Sequence, residues 1–348
     1  MNKALWSYPM KLKIFTDKGF LLERDCHVVL LYPFWGLIPE PEDDKDAGRF
    51  DEYSRLGKDF FHLVSSIAEA DAVLLPFEWE SNSPTHAKVA FKLAEEAKSK
   101  GKKVMVFFNS DSDEDIPIEN SIIFRTSFYR SKCKPNEFAL PGWSVDFLKQ
   151  YSDGKLRVRK KGSIPIVGYC GYVDYVHTNL VSMLLHGARL LSFKKSKPAA
   201  YLRGRAVRTL LRDKRIKMNF IYRTRFGGYC DKDIRLEYAT NMLESDYALV
   251  ARGGGNFSYR LYEVLSCGRI PVIIDTDCVL PFDKIIDWKM YCIWIDVRDT
   301  DSIADKIVRF HEKISGEEFE ELQVHIRQLY EEWISPTGFH KNLWRCIK

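Results

Sequence analysis

"DYALVARGGGNFSYRLYEVLSCGRIPVIID", residues 246–275, holds the organisation of the whole chain in one line. An apolar run, "YALV", leads directly into Arg252 and the three glycines Gly253, Gly254 and Gly255. An amphipathic stretch then runs from Ser258 to a stop at Gly268, and a second apolar run, "IPVII", follows. Two short apolar strands around one helix make a βαβ unit, the building block of a parallel sheet covered on both faces. Glycines at the strand-to-helix junction allow a tight turn and bring backbone N–H groups close to a ligand with no Cβ in the way. The helix beyond presents the positive end of its dipole to the same point, which favours an anion. Asn256 and Ser258 are residues of the type that caps such a helix. Arg260 and Glu263 stand three apart and therefore share a face. A guanidinium facing a glycine loop suits a diphosphate, and a carboxylate one turn further on suits two ribose hydroxyls. The spacing is neither that of a dinucleotide fingerprint nor that of a P-loop.

Working outward, the same alternation recurs. Towards the N-terminus, "CHVVLLYPFW" (26–35) predicts a buried strand and "GKDFFHLVSSIAEA" (57–70) an amphipathic helix. "DAVLLPFEW" (71–79), "VMVFFN" (104–109) and "SIIFRTSFY" (121–129) predict further strands, with a helix over 85–103 that stops at Gly101. A stretch rich in Pro, Gly and charge divides the chain near its middle. Beyond it "IPIVGYCGY" and "IKMNFIYR" predict strands, while "HTNLVSMLLHGARLL", "AVRTLLRD" and "DIRLEYATNMLES" predict helices. "CIWIDV" closes the strands, and two long helices follow. The expected layout is α/β: an N-terminal Rossmann-like domain over 1–150, a linker over 151–164 and a second domain over 165–325. Helices over 326–348 would pack back on the first domain. Two such domains face a central cleft, and ligands of parallel sheets bind beyond the strand C-terminal ends, here towards that cleft.

A length of 348 residues fits two domains. With 45% hydrophobic and 29% charged residues the composition is that of a globular protein, which excludes a disordered or fibrous chain. The net charge of +5 does not by itself call for nucleic acid. Its distribution says more: residues 189–217 hold eleven Lys or Arg and one acid, Asp213, either a solvated face or an anion-facing wall. The 8 cysteines form no CxxC and read as reduced core thiols of a cytosolic protein. No apolar run approaches the ~18 residues of a membrane span, so a membrane would be met only at its surface.

Residues 245–288 resemble the C-terminal block of the exostosin family, glycosyltransferase family 47. The resemblance rests on Ser258, Arg260, Glu263, Cys267-Gly268, Pro271-Val272-Ile273, Leu280-Pro281-Phe282 and Asp287-Trp288. "IVGYCGY" and "YLRGRAVRTLL" are looser matches upstream. The resemblance implies a GT-B fold, an inverting transfer, a nucleotide-sugar donor, usually a UDP-sugar, and no obligatory metal or cofactor. Carried onto this sequence, Arg260 and the amides of Gly253, Gly254 and Gly255 would meet the diphosphate, and Glu263 the ribose. Arg203, Arg205 and Arg208 are further phosphate candidates, since positive groups must otherwise take up the leaving-group charge.

Inversion needs a general base from the N-terminal domain. Glu78, just after a strand, is the preferred candidate over Glu80; Asp111 follows the next strand, and His86 lies nearby. Asp275-Thr276-Asp277 and the acidic loop from Asp111 to Asp115 read as loops, with no metal site expected. Tyr32, Phe34, Trp35, Trp79 and Trp143 are aromatic candidates for stacking on sugar rings, with core packing the default. The expected partners are a nucleotide-sugar and a glycan acceptor, not nucleic acid. The expected setting is a bacterial or viral type of cytoplasm. The alternative is a non-catalytic protein that binds a nucleotide or a polyanion in the same cleft.

Overall fold

The computed structural model describes residues 11–21, 25–41, 43–173, 198–223 and 232–347. Six strands build the first sheet: β1 (Leu12–Phe15), β2 (Phe61–Val64), β3 (Ala72–Leu74), β4 (Val104–Phe108), β5 (Ser121–Arg125) and β6 (Glu137–Ala139). Five build the second: β7 (Ile166–Gly171), β8 (Lys217–Tyr222), β9 (Tyr247–Val250), β10 (Ile270–Asp275) and β11 (Ile293–Asp296). The orders are β2-β1-β3-β4-β5-β6 and β11-β10-β9-β7-β8, and every pairing between these strands is parallel. The chain is therefore two Rossmann-like α/β domains facing a cleft, the GT-B architecture.

The helices, in chain order, are α1 (Tyr32–Trp35), α2 (Asp51–Leu56), α3 (Pro84–Ser99), α4 (Phe147–Tyr151), α5 (Pro198–Arg212), α6 (Lys232–Leu243), α7 (Tyr259–Ser266), α8 (Ile303–Lys313), α9 (Gly316–Leu329) and α10 (Pro336–Asn342). Strand period 2 sorts the first sheet's side chains onto two faces. Val73, Val104, Val106, Phe108 and Ile123 pack with Leu93 and Ala97 of α3. Ala72, Leu74, Met105, Phe107, Ile122 and Phe124 point the other way, into a core continuous with that of the second domain. Both faces are covered, which is why these strands read as unbroken apolar runs.

Two elements differ from the sequence reading. Residues 29–35 form a 3-10 turn and α1 rather than a strand. Pro33 lacks the N–H a ladder needs but suits a helix's first turn, and Leu30 and Leu31 are buried without being paired. The place of the first strand is taken by "LKIF" at 12–15, too short to signal itself. Within the expected helix over 57–70, residues 61–64 are instead β2, hydrogen-bonded to β1, with Phe61 buried and His62 exposed in a period of two. The helix expected over 177–191 lies outside the described residues.

Residues 151–164 run against α9, where Gln323 accepts from the Arg159 N–H at 2.9 Å and donates back to its carbonyl at 2.9 Å. α9 passes through a π-helical turn, Tyr330–Ile334, into α10, which packs on α2. There the His340 ring stacks on Tyr53 at 3.9 Å and on Trp143 at 5.2 Å, and its Nδ1 donates to the Pro336 carbonyl at 2.7 Å. Burial pushes its pKa from 6.5 down to about 3, against the pull of the Pro336 carbonyl. Below pH 6.5 the unfolded chain takes up a proton that the folded one refuses until about pH 3. The native state is thus fully favoured above pH 6.5 and loses about 1.4 kcal/mol per pH unit as acid is added across that window. Replacing His340 with Phe should make the fall of the urea midpoint between pH 6.5 and 4 shallower by one proton. An unchanged slope would mean that other groups set the acid sensitivity.

Candidate active site

Each sheet changes winding direction at one point, between β1 and β3 in the first and between β7 and β9 in the second. Such switch points open a crevice beyond the strand ends. At the second, a cavity of about 520 Å³ is lined by Tyr169–Tyr172 at the C-terminal end of β7 and by Ala251, Gly253 and Gly254 after β9. Phe257, Ser258, Tyr259, Arg260 and Glu263 at the start of α7 complete that wall, and Asp44, Lys45, Asp46, Arg49 and Asp111 of the first domain face it. Arg203, Arg223 and Arg235 also reach it, so six cationic side chains meet four carboxylates there and the cavity favours an anion.

Arg260 forms the base of the site. Its guanidinium lies 4.1 Å from the Tyr169 ring centre and 5.2 Å from that of Tyr238, and Nη2 donates to the Cys170 carbonyl at 2.6 Å. Aromatic faces hold a guanidinium in place without neutralising it. Glu263 is buried, and Arg235 Nη2 donates to its Oε1 at 3.1 Å while the Tyr238 hydroxyl donates to Oε2. Each of these oxygens keeps a second lone pair for a ligand hydroxyl. Ser258 caps α7 by its backbone position alone and makes no side-chain capping bond.

The glycine loop serves chiefly as an interdomain seat. A Cβ at Gly254 would stand 2.3 Å from Asp111 Oδ2, and one at Gly255 would stand 2.8 Å from Ser127 Oγ and 2.9 Å from the Asp111 Cα. The Gly253 N–H is already given to the Phe257 carbonyl at 2.7 Å. Gly255 is buried and does not line the cavity. Asn256 is buried between the domains: its N–H donates to Ser127 Oγ at 2.9 Å and its Nδ2 to the Phe128 carbonyl at 3.0 Å, while its Oδ1 accepts from Thr276 at 2.7 Å. Of the expected three amides, that of Gly253 is committed within the loop and Gly255 is packed against the first domain, while Gly254 stays exposed on the cavity wall.

Among the described residues of the basic wall, Arg203 alone lines the cavity. Arg205 is held on the outer side of α5 by Asp301, with Nε at 2.7 Å, and Arg208 adds its charge at the same carboxylate. Residues 189–197 lie outside the described residues. Asp275 and Asp277 clasp the first domain: Arg130 Nη1 donates to Asp275 Oδ2 at 3.4 Å, the Ser131 N–H to Asp277 Oδ2 at 3.1 Å, and Tyr129 forms a β-bridge with Cys278. Among the described residues no cluster of His, Cys, Asp and Glu is arranged to hold a metal ion. Trp143 is part of the core, stacked on His340, with its Nε1 donating to the Ile334 carbonyl at 3.2 Å. His86 is paired with Asp25 at 3.0 Å.

Glu78 does not line the cavity but lies near it: burial raises the phenols of Tyr259 and Tyr32, and the charge of Glu78 adds a little to both. Its carboxylate opens to solvent, yet protein crowds around it. That burial pushes its pKa up to about 7; the donating Asn109 N–H opposes the rise and Glu80 adds to it. Asp111 is exposed and lines the cavity beside Gly254.

Sequence reasoning missed Asp46, Arg235 and Tyr238. Arg235 and Tyr238 stand three apart on α6 and so share a face, a signal that was present in "DIRLEYATNML". Asp46 lay hidden in the acidic run "EPEDDKDAG".

Residues 185–310 match the Exostosin GT47 domain. Over this segment, about a third of its length, the chain is similar to an exostosin domain. Over 73 residues it is 42% identical to Exostosin-1 of Drosophila melanogaster, covering 20% of this chain and 10% of that protein. Over 104 residues it is 32% identical to the Exostosin-1 homolog of Caenorhabditis elegans, covering 30% of this chain and 26% of that protein. The chain thus spans between a tenth and about a quarter of the length of these relatives. A solved alpha1,3-fucosyltransferase superposes loosely, with a TM-score of 0.39 at 10% identity, over 99% of this chain and 91% of the other. The exostosin match contains Arg203, Arg235, Arg260 and Glu263; Asp46, Glu78 and Asp111 stand outside it, in the first domain. Among the described residues no helix is long and apolar enough to cross a membrane.

Proposed function

We propose that the chain is an inverting glycosyltransferase that moves a sugar from a nucleotide-sugar, most simply a UDP-sugar, to a hydroxyl of a glycan acceptor. The observation that carries this reading is the cationic cavity at the switch point of an exostosin-like domain, with Arg260 at its base and Glu263 beside it. In this reading Arg260 and Arg203 meet the diphosphate, and Glu263 accepts from the ribose hydroxyls. Glu78 takes the proton from the acceptor hydroxyl as its oxygen attacks the anomeric carbon. The bond from that carbon to the diphosphate oxygen breaks with the electron pair leaving on the phosphate. The fixed guanidinium groups then receive the new charge in place of a divalent ion. Activity should therefore survive a chelator, and complete loss with EDTA that magnesium or manganese restores would refute the metal-free mechanism. The seven described cysteines are free thiols, in keeping with a reducing compartment such as the cytoplasm.

The reading is tested by thermal shift with UDP, GDP, CMP, TDP and NAD on wild type and Arg260→Ala. A ligand specific for the folded state at 100 times its Kd adds about 2.7 kcal/mol, which a melting curve resolves. One nucleoside diphosphate should raise the midpoint of wild type and not that of the variant. No shift with any of the five would overturn the reading. A shift without sugar transfer or donor hydrolysis would instead leave a non-catalytic nucleotide-binding protein.

A further inference from the structure

Residues 43–50 form a turn-rich strap along the first domain's side of the cavity. Its own domain holds it at several points. Arg49 pairs with Glu40 at 2.7 Å and donates to the Trp143 carbonyl at 3.1 Å; the Val145 N–H donates to Asp46 Oδ1 at 3.4 Å. Towards the other domain it presents a cation and a carboxylate. Lys45 Nζ lies 5.8 Å from the Tyr259 ring centre, and Asp46, buried, accepts from Arg235 Nη2 at 3.3 Å.

That same Nη2 donates to Glu263 Oε1 at 3.1 Å. One nitrogen of a buried guanidinium therefore joins two carboxylates of opposite walls, with Phe147 beneath the guanidinium at 4.7 Å. Without the cation the two negative charges would repel across the cleft. Because the Glu263 oxygens retain lone pairs beyond those given to Arg235 and Tyr238, a ligand hydroxyl can join them without displacing either donor. A ligand that immobilises Glu263 thereby immobilises Arg235, and Arg235 in turn holds Asp46 and the strap.

We propose that Asp46 is a positioning residue that, through Arg235, ties the strap to the nucleotide-binding carboxylate Glu263, so that a bound nucleotide firms the first-domain wall, the side from which the proposed base Glu78 meets the acceptor. Donor first and acceptor second is the order of binding this arrangement favours. The inference rests on the reading of Glu263 as a nucleotide contact.

The test is amide hydrogen exchange in residues 43–50, with and without saturating UDP, on wild type, Asp46→Asn and Asp46→Glu. In wild type UDP should slow exchange there about tenfold, the factor one charge-assisted hydrogen bond carries. In Asp46→Asn, UDP should still raise the melting temperature while the slowing in the strap disappears. The acceptor KM should then rise about tenfold with a smaller change in kcat, and Asp46→Glu should regain part of both. A purely structural Asp46 would instead alter exchange equally with and without UDP, which would overturn the proposal. If UDP raises the melting temperature of wild type and leaves the strap's exchange unchanged, the coupling is refuted and nucleotide binding stands. If no nucleotide shifts the melting temperature, both fall. The wild-type arm decides even where Asp46→Asn does not fold.

Discussion

Replacing Glu78 with Gln should lower kcat by about a hundredfold to ten-thousandfold, the range a positioned general base contributes. The side chain keeps its size and its place between Phe77 and Trp79, both buried, so the loss would not be one of folding. The pH dependence gives the sharper readout. With a pKa raised to about 7, Glu78 is protonated and idle in mild acid and becomes a base as pH climbs through neutrality. The wild-type kcat/KM should rise with pH to a bend near 7, and the residual activity of the Gln variant should lack that bend. Asp111 provides the comparison, since it lines the cavity while Glu78 stands beside it. A larger loss in Asp111→Asn, with the bend preserved in Glu78→Gln, would move the base to Asp111.

The second large effect concerns stability. Arg235→Met should destabilise the fold by roughly 3–5 kcal/mol, because it strands buried carboxylates rather than merely removing a contact. Asp46 and Glu263 are 2% and 3% exposed. Asp46 retains Lys45 and Arg49, whereas Glu263 is left with the Tyr238 hydroxyl. The thioether fills part of the space over Phe147, so the charge term dominates. A urea midpoint that falls without a change in m would show it. Adding Glu263→Gln should recover part of the loss, as expected where the harm comes from an unpaired buried charge. A double variant no more stable than the single one would instead point to lost packing against Phe147 and Tyr238.

What the sequence disclosed follows from which forces act locally. The βαβ unit at 246–275 was plain because three independent signals coincide there: apolar strands, a glycine junction and a helix that stops at Gly268 in the left-handed region, φ 62°. The first domain was read less well. "LKIF" at 12–15 is a strand only because its neighbours pair with it, and "FHLV" at 61–64 sits in a sequence whose apolar residues also satisfy a helical spacing. At the site, local chemistry brought out Arg260 and Glu263. It could not reveal that Gly255 and Asn256 would be taken up by Ser127 and Phe128, some 128 residues away in sequence. Nor could it show that Asp301 would draw Arg205 off the cleft. The first outcome belongs to the docking of two domains and the second to the packing of α5 on residues 297–302 within one; both join segments distant in sequence, and neither segment carries that information alone.

The return of α10 to the first domain has a bearing on how the molecule is made. Phe339, His340 and Leu343 enter a core shared with Tyr53, Phe124 and Phe61, all of them nearly inaccessible to solvent. During synthesis a domain usually folds as it leaves the ribosome, the N-terminal one first. Here the first domain must wait, with an apolar groove open, until residues 336–343 have emerged roughly two hundred residues after its last strand. The nascent first half is therefore the species that exposes apolar surface, and closing α10 onto α2 is the step that covers it.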